Sequence, residues 1–278
     1  MLAENYSLDK IQELKKKARH LQPDLTSYYY LEREEEFQNY FKRFSDYFKF
    51  MKSEGFEIDF EDEGFRVLNQ MRYTLDMGSF GLHFGVFIPT IKHLGNEEQV
   101  AKWVQLSKDW KIIGTYAQTE LGHGSDVQNL QTTATYDVAT KEFVFHTPNL
   151  QAVKFWPGSV GKVATHTILL ARVISQGKDH GTFPFIVQLR DMQTHKLLPG
   201  IDGGDIGPKL GFSNVDNGYL KFTHFRQSRA SLLAKYVQVT DDGTFQTIGG
   251  KNSTKIAFGS MLNTRISLIF MAPYYLSR

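Results

Sequence analysis

The sequence predicts an α+β protein: an N-terminal α-helical domain, an antiparallel β-sandwich or barrel-like middle domain, and the first helix of a C-terminal helical domain. Three observations carry this. Apolar and aromatic residues recur at helical spacing through residues 1–110. Near Trp110 the pattern changes to short, β-rich runs punctuated by glycine and aspartate. After the turn-like Asp241-Asp242-Gly243, helical spacing returns with Ile256, Leu262, Ile266, Ile269 and Phe270. The divisions expected are 1–110, 111–240 and 250–278.

In the first of these, Asp24 to Ser27 offer caps, and Phe37, Phe41, Phe44 and Phe48 make a stripe. Glu34, Glu35 and Glu36 occupy the early turns, where the helix dipole favours acids. Phe65, Leu68 and Met71 mark another helix over Phe60 to Leu75. Asn96 caps a further one, with Glu97 and Glu98 in its first turn and Val100, Trp103 and Val104 inward. In the second division, residues 131–137 alternate as a strand does, and Glu142 to Phe145 follow after the turn Ala139-Thr140-Lys141. His166 to Ile174 and Phe183 to Leu189 are further strands, too close together for intervening helices, which excludes a parallel βαβ arrangement.

Composition removes several functions. Lys and Arg total 32 against 30 for Asp and Glu, so charge gives no case for nucleic acid or an anionic membrane. With no cysteine, the chain has no disulfide, thiolate catalyst or zinc–sulfur site. No run is apolar enough to span a membrane. Met1 to Lys10 is no secretory signal, and Tyr274 to Arg278 is no Ser-Lys-Leu type tail. Gly249-Gly250-Lys251 lacks the spacing of a phosphate loop, and the glycine-rich run 200–211 lacks the dinucleotide fingerprint. The nine histidines show no metal-ligand spacing.

Two stretches stand out. Gly114 to Gln128, GTYAQTELGHGSDVQ, crowds Gln118, Thr119, Glu120, His123, Ser125 and Asp126 together, and Gly122 and Gly124 permit close backbone approach. Such a loop suits a planar, hydrogen-bonding ligand, or it is an ordinary sheet-edge loop. In Lys154 to Lys162, KFWPGSVGK, Pro157 and Gly158 fix a turn with Phe155 and Trp156 at its edge. That tryptophan is either a core plug or part of a site.

Taken together with TTATYD, HTILLARVI, GTFPFIVQLRD, LPGI, GDIGPKLG, DNGYLKF and FGSML, these stretches run in the order seen in the acyl-CoA oxidases. Over residues 80–275 the chain resembles that branch of the acyl-CoA dehydrogenase superfamily. The resemblance implies FAD-dependent α,β-desaturation of a fatty acyl-CoA to the trans-2-enoyl-CoA, with hydrogen peroxide formed, in fatty acid β-oxidation. It implies that Thr119 hydrogen-bonds the flavin ring, that Gly158 lets backbone approach it, that Trp156 lies against it, and that Ser125 contacts acyl-CoA. The family's catalytic glutamate falls beyond the matched motifs, so no catalytic residue is assigned and the chain is expected to be an N-terminal portion. No metal is implied. The expected partners are fatty acyl-CoA and a C-terminal half, a homodimer mate or subunits of a larger assembly. The family is peroxisomal, with mitochondrial or cytoplasmic placement as alternatives. A shortened, inactive paralogue serving assembly is the alternative function.

The sequence also departs from the family. Phe155-Trp156-Pro157-Gly158-Ser159 stands where the family reads WWPGG. Phe225-Arg226-Gln227-Ser228-Arg229 stands at the family's Ile-Pro-Arg turn, without its proline.

Overall fold

The computed structural model describes residues 8–21, 30–55, 78–211 and 213–249. The helices expected over 60–75 and from 253 onward, and the caps at 24–27, lie outside the described residues. The described residues divide into two compact units, one formed by those up to 81 with 208–215, the other by 82–207 with 216–249.

In the first unit, α1 (Leu8–Lys17) leads into a short 3-10 turn, and α2 (Arg33–Ser53) is the long element. Glu34, Glu35 and Glu36 do occupy its first turn, and the Glu35 carboxylate also accepts the backbone N–H of Glu32 at 3.1 Å. Its buried face runs Phe37, Tyr40, Phe44, Tyr47, Met51. The predicted phenylalanine stripe is therefore rotated: Phe41 and Phe48 flank the seam, half-buried, and two tyrosines take the inner positions. Phe80 stacks on Phe44 at 4.1 Å between ring centroids.

The second unit begins with a π-helical turn, His83–Phe87, continuing into α3 (Ile88–Leu94). Asn96 caps α4 (Glu97–Lys108) as the sequence predicts, accepting the Gln99 N–H at 2.9 Å while the Gln99 side chain accepts from Asn96. Among the described residues, no helix is long and apolar enough to cross a membrane.

Eleven strands follow in the described residues: β1 (Gly114–Ala117), β2 (Thr133–Asp137), β3 (Glu142–His146), β4 (Lys154–Phe155), β5 (His166–Ser175), β6 (Lys178–Gln188), β7 (Ile201–Asp205), β8 (Gly218–Phe222), β9 (Phe225–Ser228), β10 (Val237–Val239) and β11 (Phe245–Thr247). One sheet runs β1-β5-β2-β3-β9 with β6 also on β5, a second runs β4-β8-β7, and β10 pairs β11. β5 and β6 meet at Gln176 and Gly177, whose φ values of 51° and 73° make the two-residue hairpin turn that matches strand twist.

Most pairings are antiparallel, as the sequence predicts. The departure lies on one edge of β5, where β1 and β2 both run parallel to it. No α-helix makes these crossovers; other strands and one short 3-10 turn do, so short runs accommodate parallel neighbours without a βαβ unit. The inner faces interleave Ala134, Phe143, Phe145, Leu169, Phe185, Leu220 and Phe222 in one core. Phe185 stands edge-on to both Phe143 and Phe145, near 5 Å, a favoured aromatic geometry. The first half of β5 is buried on both faces, since Trp103 of α4 lies 5.4 Å from the His166 ring. That double burial explains why its sequence is nearly continuous in apolar residues.

Candidate functional site

The loop Gln118–Thr132 is built by strand register. Ala117, ending β1, lies opposite Leu169, and Thr133, opening β2, lies opposite Arg172 on the same strand. The loop therefore leaves and rejoins one edge of β5 about 10 Å apart, at roughly 3.3 Å per residue, and closes as an Ω-type excursion. Arg172 holds its returning limb through the carbonyls of Gln128 (3.1 Å) and Leu130 (3.3 Å), while Asp179 grips the same guanidinium.

Its departing limb pairs with the aromatic turn. Glu120 and Lys154 face each other in an antiparallel bridge. Phe155 donates its N–H to the Thr119 carbonyl at 3.0 Å, and Leu121 donates to Val153 at 2.9 Å. Alternation along an extended segment then sends Glu120 and Lys154 inward and Thr119 and Phe155 to the other face. The burial follows suit: Glu120 and Lys154 are buried, Thr119 and Phe155 half-buried. The Thr119 hydroxyl has no hydrogen-bond partner among the described residues. Gly122 is needed where it stands, because a Cβ there would meet the Gln151 Cβ at 2.8 Å.

Inside, the Glu120 carboxylate accepts from the Lys154 ammonium (3.0 Å), the Thr132 N–H (2.9 Å) and hydroxyl (2.7 Å), and the Gln131 N–H (2.8 Å), and it pairs with the His123 ring (3.1 Å). Lys154 also donates to the Gln118 carbonyl at 3.0 Å. Burial alone would raise the Glu120 carboxyl, but Lys154 and these donors outweigh it and hold it below the usual carboxylate range. Burial pulls Lys154 down to about 8, against the opposing pull of Glu120.

The aromatic turn is locked from the other side. Trp156 donates its N–H to the Gly218 carbonyl at 2.9 Å, and Gly218 returns its own N–H to Pro157 at 3.0 Å. Asn217 donates to the Trp156 carbonyl at 2.9 Å. The Thr115 hydroxyl donates to the Gly158 carbonyl. Beyond the turn, the Asp216 carboxylate accepts from the N–H groups of Lys162 and Val163, and Arg190 donates to the carbonyls of Val160 and Gly161. Trp156 has a φ of 79°, rare for a residue with a large side chain, and its side chain is half exposed. It is no core plug. An uncommon backbone held by this many bonds, presenting a flat aromatic face, is a feature of binding sites.

A family model described as acyl-coenzyme A oxidase N-terminal matches residues 6–113. Peroxisomal acyl-coenzyme A oxidase 2 of Mus musculus is 43% identical over 213 residues, covering 77% of this chain and 31% of the relative. The crystal structure of an acyl-CoA oxidase from tomato, Lycopersicon esculentum, matches 94% of this chain and 39% of its own at a TM-score of 0.85 and 38% identity. Acyl-CoA oxidase-2 of Caenorhabditis elegans, solved with FAD, ascaroside-CoA and ATP, matches 91% of this chain and 37% of its own, with a TM-score of 0.80 and 37% identity.

The chain belongs to the acyl-CoA oxidase family. It spans between 31% and 39% of the length of these relatives.

Of the four residues singled out on the acyl-CoA oxidase resemblance, Thr119, Trp156 and Gly158 lie on segments that the fold joins directly. Ser125 lies further out on the loop, exposed, with its carbonyl accepting from Val127. Ser159, where the family reads glycine, has a φ of 69°, the conformation that glycine enters freely. Sequence reasoning missed Lys154, Asp216, Arg190 and Asn217, and it took Glu120 as one more polar loop residue. A lysine inside the apolar run Ala152-Val153-Lys154-Phe155-Trp156 was the available signal.

Proposed function

We infer that this chain supplies the flavin- and thioester-facing wall of a peroxisomal, FAD-dependent acyl-CoA oxidase acting on fatty acyl-CoA. The single observation behind this reading is the pairing of the Thr119 limb with the Phe155-Trp156 turn. It gives one edge a hydroxyl without a partner among the described residues and a half-exposed indole on a strained, well-bonded backbone. Such an edge fits a planar ring system carrying hydrogen-bonding groups along its rim. Thr119 would hydrogen-bond that rim, Trp156 would cover part of the ring, and the Gly158 backbone would lie close to it.

FAD, when bound, supplies acceptance of hydride from the substrate's β carbon and its return to dioxygen as hydrogen peroxide. This chain's part is to orient and to exclude water. Ser125, exposed on the loop, would meet acyl-CoA. Glu120 is not the base that removes the α proton: its oxygens are engaged by Lys154, Thr132, Gln131 and His123, and its low proton affinity opposes the task.

Titration of FAD with the chain, followed by flavin fluorescence, tests the reading. Saturable quenching is expected, and a saturated fatty acyl-CoA added afterwards is expected to perturb the flavin spectrum. No saturable binding, or a spectrum indifferent to acyl-CoA yet altered by a nicotinamide nucleotide, would overturn it.

A further inference from the structure

We propose that the buried pair Glu120–Lys154 is a positioning device whose task is to fix Thr119 for its ligand. The role given to Thr119 rests on the functional reading above; the clamp itself rests on geometry. Lys154 reaches the carbonyl of Gln118 and the carboxylate of Glu120, each at 3.0 Å. Those are the two residues that flank Thr119. The Thr119 carbonyl is itself taken by Phe155, and the Glu120 N–H by His123. The carbonyls of Gln118 and Thr119 and the Glu120 N–H are therefore held within the protein, while the Thr119 hydroxyl has no partner among the described residues.

Stability does not account for such an arrangement. Both side chains are sealed from solvent, and taking two charges out of water offsets most of what their attraction returns. A hydrophobic pair of the same volume would fill the space as well. What an apolar pair could not do is engage the Gln118 carbonyl and, through one carboxylate, the Gln131 and Thr132 backbone at the far end of the loop. The pair thereby ties the first residues of the excursion to its last ones. A hydroxyl meant to meet a rigid ring gains from such fixing, since a loose donor loses affinity when it is ordered on binding.

The test uses the 278-residue chain and the variants Lys154→Met, Glu120→Gln and the double variant. Each single change strands a polar or charged partner inside and lowers the melting temperature. The double change leaves no net buried charge and is expected to melt close to the parent. In that double variant the amides of Glu120, Leu121 and Phe155 should exchange with deuterium at least tenfold faster, with Leu169 and Phe185 unchanged. The FAD dissociation constant should rise at least tenfold. A merely structural pair would show parental exchange at those three amides and parental FAD affinity once stability is restored, and that result overturns the proposal. A double variant that does not fold overturns it too, because the pair would then serve the fold as a whole. If the parent itself takes up no FAD, the functional reading falls, while the exchange rates still decide whether the clamp exists.

Discussion

Gly114 donates its backbone N–H to Nδ1 of His83 across 2.9 Å, while Nε2 of the same ring faces the Ser107 carbonyl at 3.3 Å. One nitrogen must accept and the other donate, so the buried imidazole is neutral and joins the π-helical turn, α4 and β1. Burial lowers His83 to about 4, and His166 is lowered to about 4 likewise.

Stability should accordingly depend on pH in mild acid. The folded pKa lies below the unfolded value of about 6.5, so between these values the unfolded chain holds more protons, and stability falls as pH drops. His83 alone should cost about 2 kcal/mol between pH 7 and pH 5, and His166 a comparable amount. Urea unfolding at the two pH values checks this. His83→Gln should lose stability at pH 7 but become less sensitive to acid, and an offset from the parent that is independent of pH would refute the assignment.

At Gly218 there is no room for a side chain. A Cβ would stand 2.4 Å from the Gly204 carbonyl oxygen and from Val160 Cγ1. Gly218→Ala should destabilise the chain by about 3 kcal/mol or more, by overpacking against backbone. It should also disturb the Trp156 turn that Gly218 bonds on both sides, seen as a shift in tryptophan fluorescence. Gly124, with nothing within 4 Å of its would-be Cβ, is the control: Gly124→Ala should stay within about 0.5 kcal/mol.

Gln99 uses both ends of its amide. Nε2 donates to the carbonyls of Ala230 (2.9 Å) and Leu232 (2.7 Å), and Oε1 accepts from Ala234 (2.9 Å). Gln99→Glu keeps the acceptor but turns a carboxylate on two carbonyls. A loss of about 2 kcal/mol is expected despite the favourable helix dipole, read from the denaturant midpoint. An unchanged midpoint would mean that this staple between α4 and residues 230–234 is idle.

Thr119→Ala should leave the melting temperature alone, since the hydroxyl has no protein partner among the described residues. It should weaken FAD by about 1 kcal/mol, the net value of one hydrogen bond. Thr119→Ser should restore most of that affinity. Equal affinity in all three proteins would remove Thr119 from the site.

The sequence revealed what is local. The α2 stripe, the Asn96 cap and the β2–β3 hairpin each declare themselves within a dozen residues, by period or by capping chemistry. β1, β4 and β7 do not. Four residues of Gly-Thr-Tyr-Ala merge into the polar loop after them, β4 has only two residues, and Ile201–Asp205 has one apolar residue among glycines and aspartates. Tyr40 and Tyr47 were passed over because phenylalanine at neighbouring positions gave an equally good stripe. The site divided along the same line. Thr119, Trp156 and Gly158 could be named from motifs, whereas the Glu120–Lys154 pair joins positions 34 apart, and no periodicity spans that gap.

The shared edge of β5 also sets an order of assembly. β5 and β6 meet through a two-residue turn and can find each other within microseconds, the usual time for a hairpin. β1 has no such neighbour: Gly114 must wait for His166, and a pairing that distant in sequence is slow because the intervening chain has to be drawn closed first. On a growing chain, the segment from Gln118 to Thr132 thus stays open until the hairpin downstream has formed and offers both of its ends a place to lie. The Gln118–Thr132 loop is a late closure around a finished scaffold, and substitutions in the β5–β6 turn should delay it without touching any residue of the loop.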